Sequence, residues 1–404
     1  MKVYINPNQN FHKVDKSGNI ILFCFLLCLV LIVSYRMYAY SASGSESYFG
    51  RDRRIYGYVY QHPYISDSLQ TFKIAGLTIK ASKYPEYKLG DYLLVEVDSK
   101  SKYVSYYPNI QIIDDKSDIV LQAVSKLRSR LVLSIKKQLP EPYASLILGM
   151  TIGYKADFPD YFSKSLKQAG LIHVIVVSGY NVSLILVFLT VLLRFLGGKG
   201  YVVVSGVFLI IFTILAGFDP PIIRAVITGI ISMIGYVSGK YRHSFYLLFL
   251  AGIIMLAVSP AQLFGLSFQL SFLASLGVLL AGSLSVNLKE SFRGFFVIVG
   301  ANLFIAPILL YNFGYFSLAS LPANLLIAWT IPLLTISGII LFIVPLFPVQ
   351  IFSMVLINFF VLVTNTAGRF ESLIITRQIG VTQIVLYYVY LILFIKLIYS
   401  FKND

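Results

Sequence analysis

The chain has 404 residues, of which 57% are apolar and 13% charged. Those proportions exclude an ordinary soluble globule, and apolar runs of about 18 residues or more recur, each long enough to cross a hydrocarbon core of roughly 30 Å. The formal net charge of +15 has two accounts, basic loops on the cytoplasmic side or an electrostatic footprint for a polyanion, and the placement of the cations decides between them.

Residues 1–19 are polar and basic and lead into an apolar run at 20–38, so 1–40 reads as a tail and a first span, retained, with the N-terminus inside. Cys24 and Cys28 lie one turn apart on that span and read as small apolar side chains rather than as a disulfide or metal site. Over 50–115 the pattern changes to short runs alternating apolar and polar residues, such as Gln70-Thr-Phe-Lys-Ile and Tyr92-Leu-Leu-Val-Glu-Val, with Gly and Pro between them. That period of two predicts a small β-barrel or sandwich, and Lys88-Leu-Gly-Asp-Tyr-Leu-Leu-Val resembles a strand common in OB-type barrels. Its many tyrosines, interleaved with Lys and Arg, suit stacking of single-stranded bases, although Tyr is also a good strand residue.

Residues 116–142 predict an amphipathic interfacial helix. Val120, Val124, Leu127, Leu131 and Ile135 recur at helical spacing, while Lys126, Arg128, Arg130, Lys136 and Lys137 supply charge for lipid headgroups or for a phosphate backbone. Pro140 and Pro142 end it. From 143 to 404 the chain is dominated by further spans, at about 171–196, 202–218, 221–239, 245–259, 262–282, 294–313, 322–346, 349–366 and 381–400, for about ten in all. With the β-rich segment outside, Arg194, Lys199, Lys240, Arg242, Lys289, Arg293, Lys396 and Lys402 fall on the inner side, against Arg369 and Arg377 outside. Much of the charge is therefore topology. The excess lies in the outer segment and the basic helix.

Three polar clusters interrupt the apolar runs. The first is Ala169-Gly-Leu-Ile-His-Val-Ile-Val-Val-Ser-Gly-Tyr-Asn-Val182, carrying His173, Ser178, Gly179 and Asn181. Such groups in a lipid-compatible run cost several kcal/mol unless protein, water or substrate satisfies them. A hydrolase built on His173 and Ser178 would need a base within reach and an oxyanion hole, and His12, His62 and His243 all fall in loops or soluble regions. The second is Ala216-Gly-Phe-Asp-Pro-Pro-Ile-Ile-Arg-Ala225, where two prolines suit a first helical turn and Arg224 follows one turn in. Asp219 is a candidate partner for that guanidinium, which can otherwise snorkel to the outer interface or meet water. The third is Leu266-Ser-Phe-Gln-Leu-Ser-Phe-Leu-Ala-Ser275, whose Gln269 and Ser271 can hydrogen-bond between helices or line a polar path. No Gly-x-x-x-x-Gly-Lys-Ser/Thr run is present.

Together, in order and behind a β-rich segment, the three clusters resemble the ComEC-type competence proteins, which form the membrane channel for DNA uptake. Asn181 stands where the family's motif carries a second His, which removes an imidazole and keeps a hydrogen-bonding group. The resemblance implies a polytopic α-helical channel in the cell membrane, with both termini cytoplasmic and an OB-like domain outside. It implies single-stranded DNA and membrane lipids as partners, with a DNA receptor, a cytoplasmic ATPase or helicase and a separate nuclease beside them. His173, Ser178, Gly179, Asn181, Arg224, Gln269 and Ser271 are the expected path residues. Lys126, Arg128, Arg130, Lys136 and Lys137 are the expected outer DNA contacts. Many of these proteins continue into a metallo-β-lactamase-like domain with a His-x-His-x-Asp-His cluster, and this chain has no such cluster. No catalysis, cofactor or metal is expected of it. The alternative is a secondary transporter or flippase for an anionic small molecule or lipid.

Overall fold

The structure, a computed structural model, describes residues 54–403 apart from 60–61, 67, 75–76, 97–103, 114–117, 157, 176, 240–242, 287 and 371–372. The expected first span with Cys24 and Cys28 lies outside the described residues, as do Lys240 and Arg242.

Seven strands open the described chain: β1 Arg54–Tyr58, β2 Tyr64–Ile65, β3 Leu69–Ile74, β4 Leu77–Ser82, β5 Tyr92–Glu96, β6 Val104–Tyr106 and β7 Asn109–Ile112. Alternation turns Phe72, Ile74, Ile79, Leu93 and Val95 inward, as a half-buried sheet requires. The expected closed barrel is not what they build. The strands divide into two sheets, β1-β5-β7 and β2-β3-β4-β6, and no hydrogen-bonded ring joins them among the described residues. The two sheets come close where Gly57 of β1 faces Ile74 of β3: a Cβ there would meet Ile74 Cγ2 at 2.7 Å.

Helix α1, Ile119–Gln138, starts where Asp118 Oδ1 accepts from the amides of Val120 at 2.9 Å and Leu121 at 3.0 Å. Lys136 and Lys137 in its last turn complement the negative end of the helix dipole. Its buried face runs through Leu121, Ser125, Arg128 and Ile135, while Val120 and Leu127 are exposed. The apolar stripe expected from the sequence is therefore rotated by about one residue.

Next comes α2, Tyr143–Ile152, in which nine of ten residues are buried. Ten residues rise about 15 Å, half of a hydrocarbon core, and the helix stops at Gly153 with a left-handed φ of 65°. It lies in the largest apolar cluster, around Leu146, Met150, Ile327, Leu341, Ile357 and Phe360. A short helix α3, Asp160–Gln168, buries Phe162 and Leu166, and a 3-10 turn at Ile172–Val174 leads to α4, Gly179–Leu192. Then follow α5 Gly197–Ala216, α6 Pro220–Val237, α7 Ser244–Val258, α8 Leu266–Leu284, α9 Glu290–Phe313, α10 Ser320–Ile327, α11 Thr330–Ile343, α12 Phe347–Gly368 and α13 Val381–Asn403. Two short strands, β8 Tyr315–Ser317 and β9 Ile374–Thr376, pair the ends of α9 and α12.

Seven described helices, counting the 3-10 turn with α4, are long and apolar enough to cross a membrane. The pair α10 and α11, bent by 48°, makes an eighth if it is one broken span. The fifteen-residue α7 is shorter than a full crossing. The described residues thus hold seven or eight candidate spans, against the nine expected beyond the first, with the short α7 at the expected span 245–259. Broken or short helices at membrane depth are tolerated where protein or a cavity covers their free backbone, and α2 is covered in that way, whereas α4 keeps Val187 and Val191 exposed and the α10–α11 bend exposes Trp329.

Candidate polyanion passage

Short connections make α5, α6, α7 and α8 alternate in direction, so α6 and α8 start at the same end of the bundle. The contact of Gly179 with Pro221, Arg224 and Ala225 places the start of α4 at that end too. It is the end that carries the strand region, because Gly217 lies beside His62 and Gly153 beside the Ala216 carbonyl. Helix α6 packs between α4 and α8. Each of the three polar clusters therefore falls in the first turns of one of three neighbouring parallel helices. None of the three has a side-chain N-cap. Uncapped first-turn amides and aligned dipoles make a helix start attractive to anions, and here three starts lie side by side, although the middle one offers only its dipole, since Pro220 and Pro221 carry no N–H and Ile222 donates to the Asp219 carbonyl at 2.9 Å.

Arg224 stands in the middle of this row. A Cβ on Gly179 would lie 2.5 Å from its Nη2, so glycine leaves the guanidinium room against the start of α4. Its Nε is shut off from solvent and has no hydrogen-bond partner. Asp219, the candidate partner, turns to Lys155 at 3.6 Å instead. Arg224 as a whole is half-buried, and a partly desolvated cation beside positive helix ends is unfavourable without an anion.

The other path residues divide. Asn181 is 1% exposed; its amide donates to the Met150 carbonyl at 2.7 Å, tying α4 to α2, and its Oδ1 is buried without a partner. Ser178 is half-buried, at the start of α4, and His173 is exposed in the 3-10 turn before it. Gln269 donates to Leu263 O at 3.0 Å, within the local turn before α8, and Ser271 Oγ is buried without a partner. Gly179 and Arg224 are thus brought into contact, and Asn181 adjoins them on α4. Gln269 and Ser271 stand on the next helix of the row, and no hydrogen bond among those described links them to the first two clusters.

The outer cations divide as well. Lys126, Arg130, Lys136 and Lys137 are exposed. Arg128 is not: it is 7% exposed, and its guanidinium donates to the carbonyls of Ile152 at 2.7 Å, Gly153 at 3.2 Å and Leu215. The expectation of Arg128 as an outer contact is corrected by that burial. It closes the C-terminal ends of α2 and α5 at once, the polarity a cation prefers. Burial pulls its pKa down to about 10, which leaves it charged at neutral pH. Beside it, His62 lines a cavity of about 360 Å³ between the strand region, α1 and the ends of α2 and α5. Burial first, and Arg128 second, lower His62 to about 3. Sequence reading placed His62 in a loop without a role. The signal for Arg128 was available, because residues 124, 128, 131 and 135 follow helical spacing and put it among apolar positions.

Among the exposed tyrosines of the strand region, Tyr106 has Lys80 over its ring at 4.9 Å and Tyr84 has Lys83 at 5.9 Å. Tyr87 is buried against Phe72, and Tyr58 packs edge-on against Tyr92 at 4.7 Å. The aromatic and basic mixture is thus partly surface and partly core.

A bundle of apolar helices, seven of them among the described residues long and apolar enough to cross a membrane, is the make-up of a polytopic membrane protein. The chain belongs to the competence protein family, whose description matches residues 150–401. It is 28% identical over 208 residues to the ComE operon protein 3 of Bacillus subtilis (strain 168), a match covering 50% of this chain and 26% of that protein. It is 34% identical over 126 residues to an uncharacterized protein of Aquifex aeolicus (strain VF5), covering 31% of this chain and 30% of that one. The chain therefore spans less than a third of either curated relative. No solved structure matches it.

Proposed function

We propose that this chain forms the route by which single-stranded DNA crosses the cell membrane during natural transformation, transporting and not hydrolysing its cargo. The observation that carries the reading is Arg224, buried at its Nε without a partner and set against the start of α4 in a row of uncapped helix starts. A phosphate passing that point supplies the missing acceptor, and contact with backbone rather than base edges lets any sequence through. Family membership supports DNA as the cargo. In this reading the strand region and the exposed cations of α1 lie outside the cell and gather the strand, and both termini are cytoplasmic. A receptor, a cytoplasmic ATPase and a separate nuclease complete the machinery.

The test is deletion of the gene in a competent host, followed by complementation with this chain. Labelled single strands should fail to reach the cytoplasm in the deletion and reach it again on complementation. Normal arrival in the deletion strain overturns the reading, as does ion-driven uptake of a small anion by DNA-free vesicles containing the protein.

A further inference from the structure

A second polar recess lies away from Arg224, between α3 and the end of α12. It is an open cleft of about 510 Å³, lined by Tyr161, Ser165, Gln168, Asn365, Gly368 and Arg369, and falls within the size range of small-molecule sites. Tyr161, Ser165 and Gln168 recur at helical spacing on one face of α3, while Phe162 and Leu166 anchor the opposite face in the core. Gly368 allows the second wall to come close. A Cβ there would stand 3.0 Å from Ser165 Cα and 3.1 Å from its carbonyl oxygen, both backbone atoms that cannot swing away. The cleft sits at the strand-region end of the bundle, because α3 follows the Gly153 turn and α12 ends beside α3.

Its chemistry is particular. Tyr161 is 70% exposed, so its ring face is free to take a flat partner. Arg369 is exposed at the rim. Asn365, also in the lining, has an Oδ1 that is shut off from solvent and has no hydrogen-bond partner, so a half-turn of its side-chain amide gives up no bond of that oxygen and offers an acceptor to a ligand. We infer that the cleft between α3 and the end of α12 holds one nucleotide of a single strand, with the base stacked on Tyr161, its N–H donating to Asn365 and its phosphate on Arg369. Every natural base carries an N–H on its Watson–Crick edge, so one acceptor recognises a base without selecting which. Stacking on an aromatic face is equally tolerant of sequence. A lipid headgroup would use the cation, but it has no ring for Tyr161.

The inference rests on the reading of the chain as a passage for single strands, and its test is separate from that of Arg224. The full chain in phosphatidylcholine nanodiscs is mixed with a twelve-residue oligothymidine bearing 5-iododeoxyuridine, irradiated, and mapped by mass spectrometry. A cross-link to Tyr161 is expected. Tyr161→Ala and Arg369→Gln, both checked for monodisperse elution, should each weaken oligonucleotide binding at least about fivefold. Arg369→Gln should also lower the logarithmic salt slope by about 0.7. Cross-links confined to the strand region or α1, with both variants binding as the parent does, overturn the inference while leaving the role of Arg224 intact. A Tyr161 cross-link that vanishes when phosphatidylglycerol replaces phosphatidylcholine assigns the cleft to lipid headgroups and overturns it too.

Discussion

Arg128 and Arg224 stand differently in the protein, the first buried at the junction of α1 with α2 and α5, the second half-buried in the row of α4, α6 and α8. Arg128 faces helix C-termini and donates to three carbonyls. Arg224 faces a helix N-terminus and has an Nε with no partner. The same side chain is thus fully satisfied at negative helix ends and left wanting at positive ones. A cation of the first kind holds elements together, and its hydrogen bonds are charge-assisted, each worth about 1.5–3 kcal/mol. A cation of the second kind destabilises the fold unless something negative visits it. The difference separates a structural fastening from a cation that still has an anion to gain.

That contrast breaks most readily at the fastening. Arg128→Ala should lower unfolding stability by about 3 kcal/mol or more, read as a large drop in the thermal midpoint of the detergent-solubilised protein; an unchanged midpoint removes the contrast. Arg224→Gln should do the reverse, with the midpoint held or raised and uptake of labelled single strands reduced at least about tenfold, or about 1.4 kcal/mol. A fall in both stability and uptake would make Arg224 a second fastening. The junction should also respond to acid. His62 is held neutral down to about 3, against an ordinary value of 6.5, so between those values the unfolded chain binds the extra proton. Stability is then complete above about 6.5 and is lost as the pH falls toward 3. The thermal midpoint should drop between pH 7 and pH 5, and His62→Gln should flatten that slope. The smallest effect is expected of Gly179→Ala, whose methyl group must displace the Arg224 guanidinium. Uptake should fall a few-fold with the fold intact, and no change would show that the guanidinium position is not critical.

Much of the bundle was legible because apolar runs are long and polar punctuation is sparse. The spans expected at 349–366 and 381–400 lie within α12 and α13, and Asp118 caps α1. What was not legible follows from tertiary packing. A ten-residue apolar segment such as Tyr143–Ile152 gives no periodic signal when it is buried all round, and a 48° bend at Ala328-Trp329 leaves hydropathy unchanged. Period-two alternation announces strands but not closure, and here the strands divide into two sheets. Of the site, Gly179 and Arg224 were legible from polar groups in apolar runs, and their contact was not. Arg128 reads as an outer contact by its charge, whereas its place among Val124, Leu131 and Ile135 in the helical pattern puts it on the buried side.

The claim that the start of α4 beside Arg224 lies on an anion's route is most directly tested by the accessibility of Ser178→Cys, in a chain whose Cys24 and Cys28 are replaced by alanine. Thiosulfonate reagents of equal size and opposite charge are applied, with and without DNA stalled in transit by a bulky end group. The account predicts faster modification by the anionic reagent, loss of that preference in Arg224→Gln, and protection by the stalled strand. Equal rates for the two reagents, or a thiol that stalled DNA leaves unprotected, would contradict it.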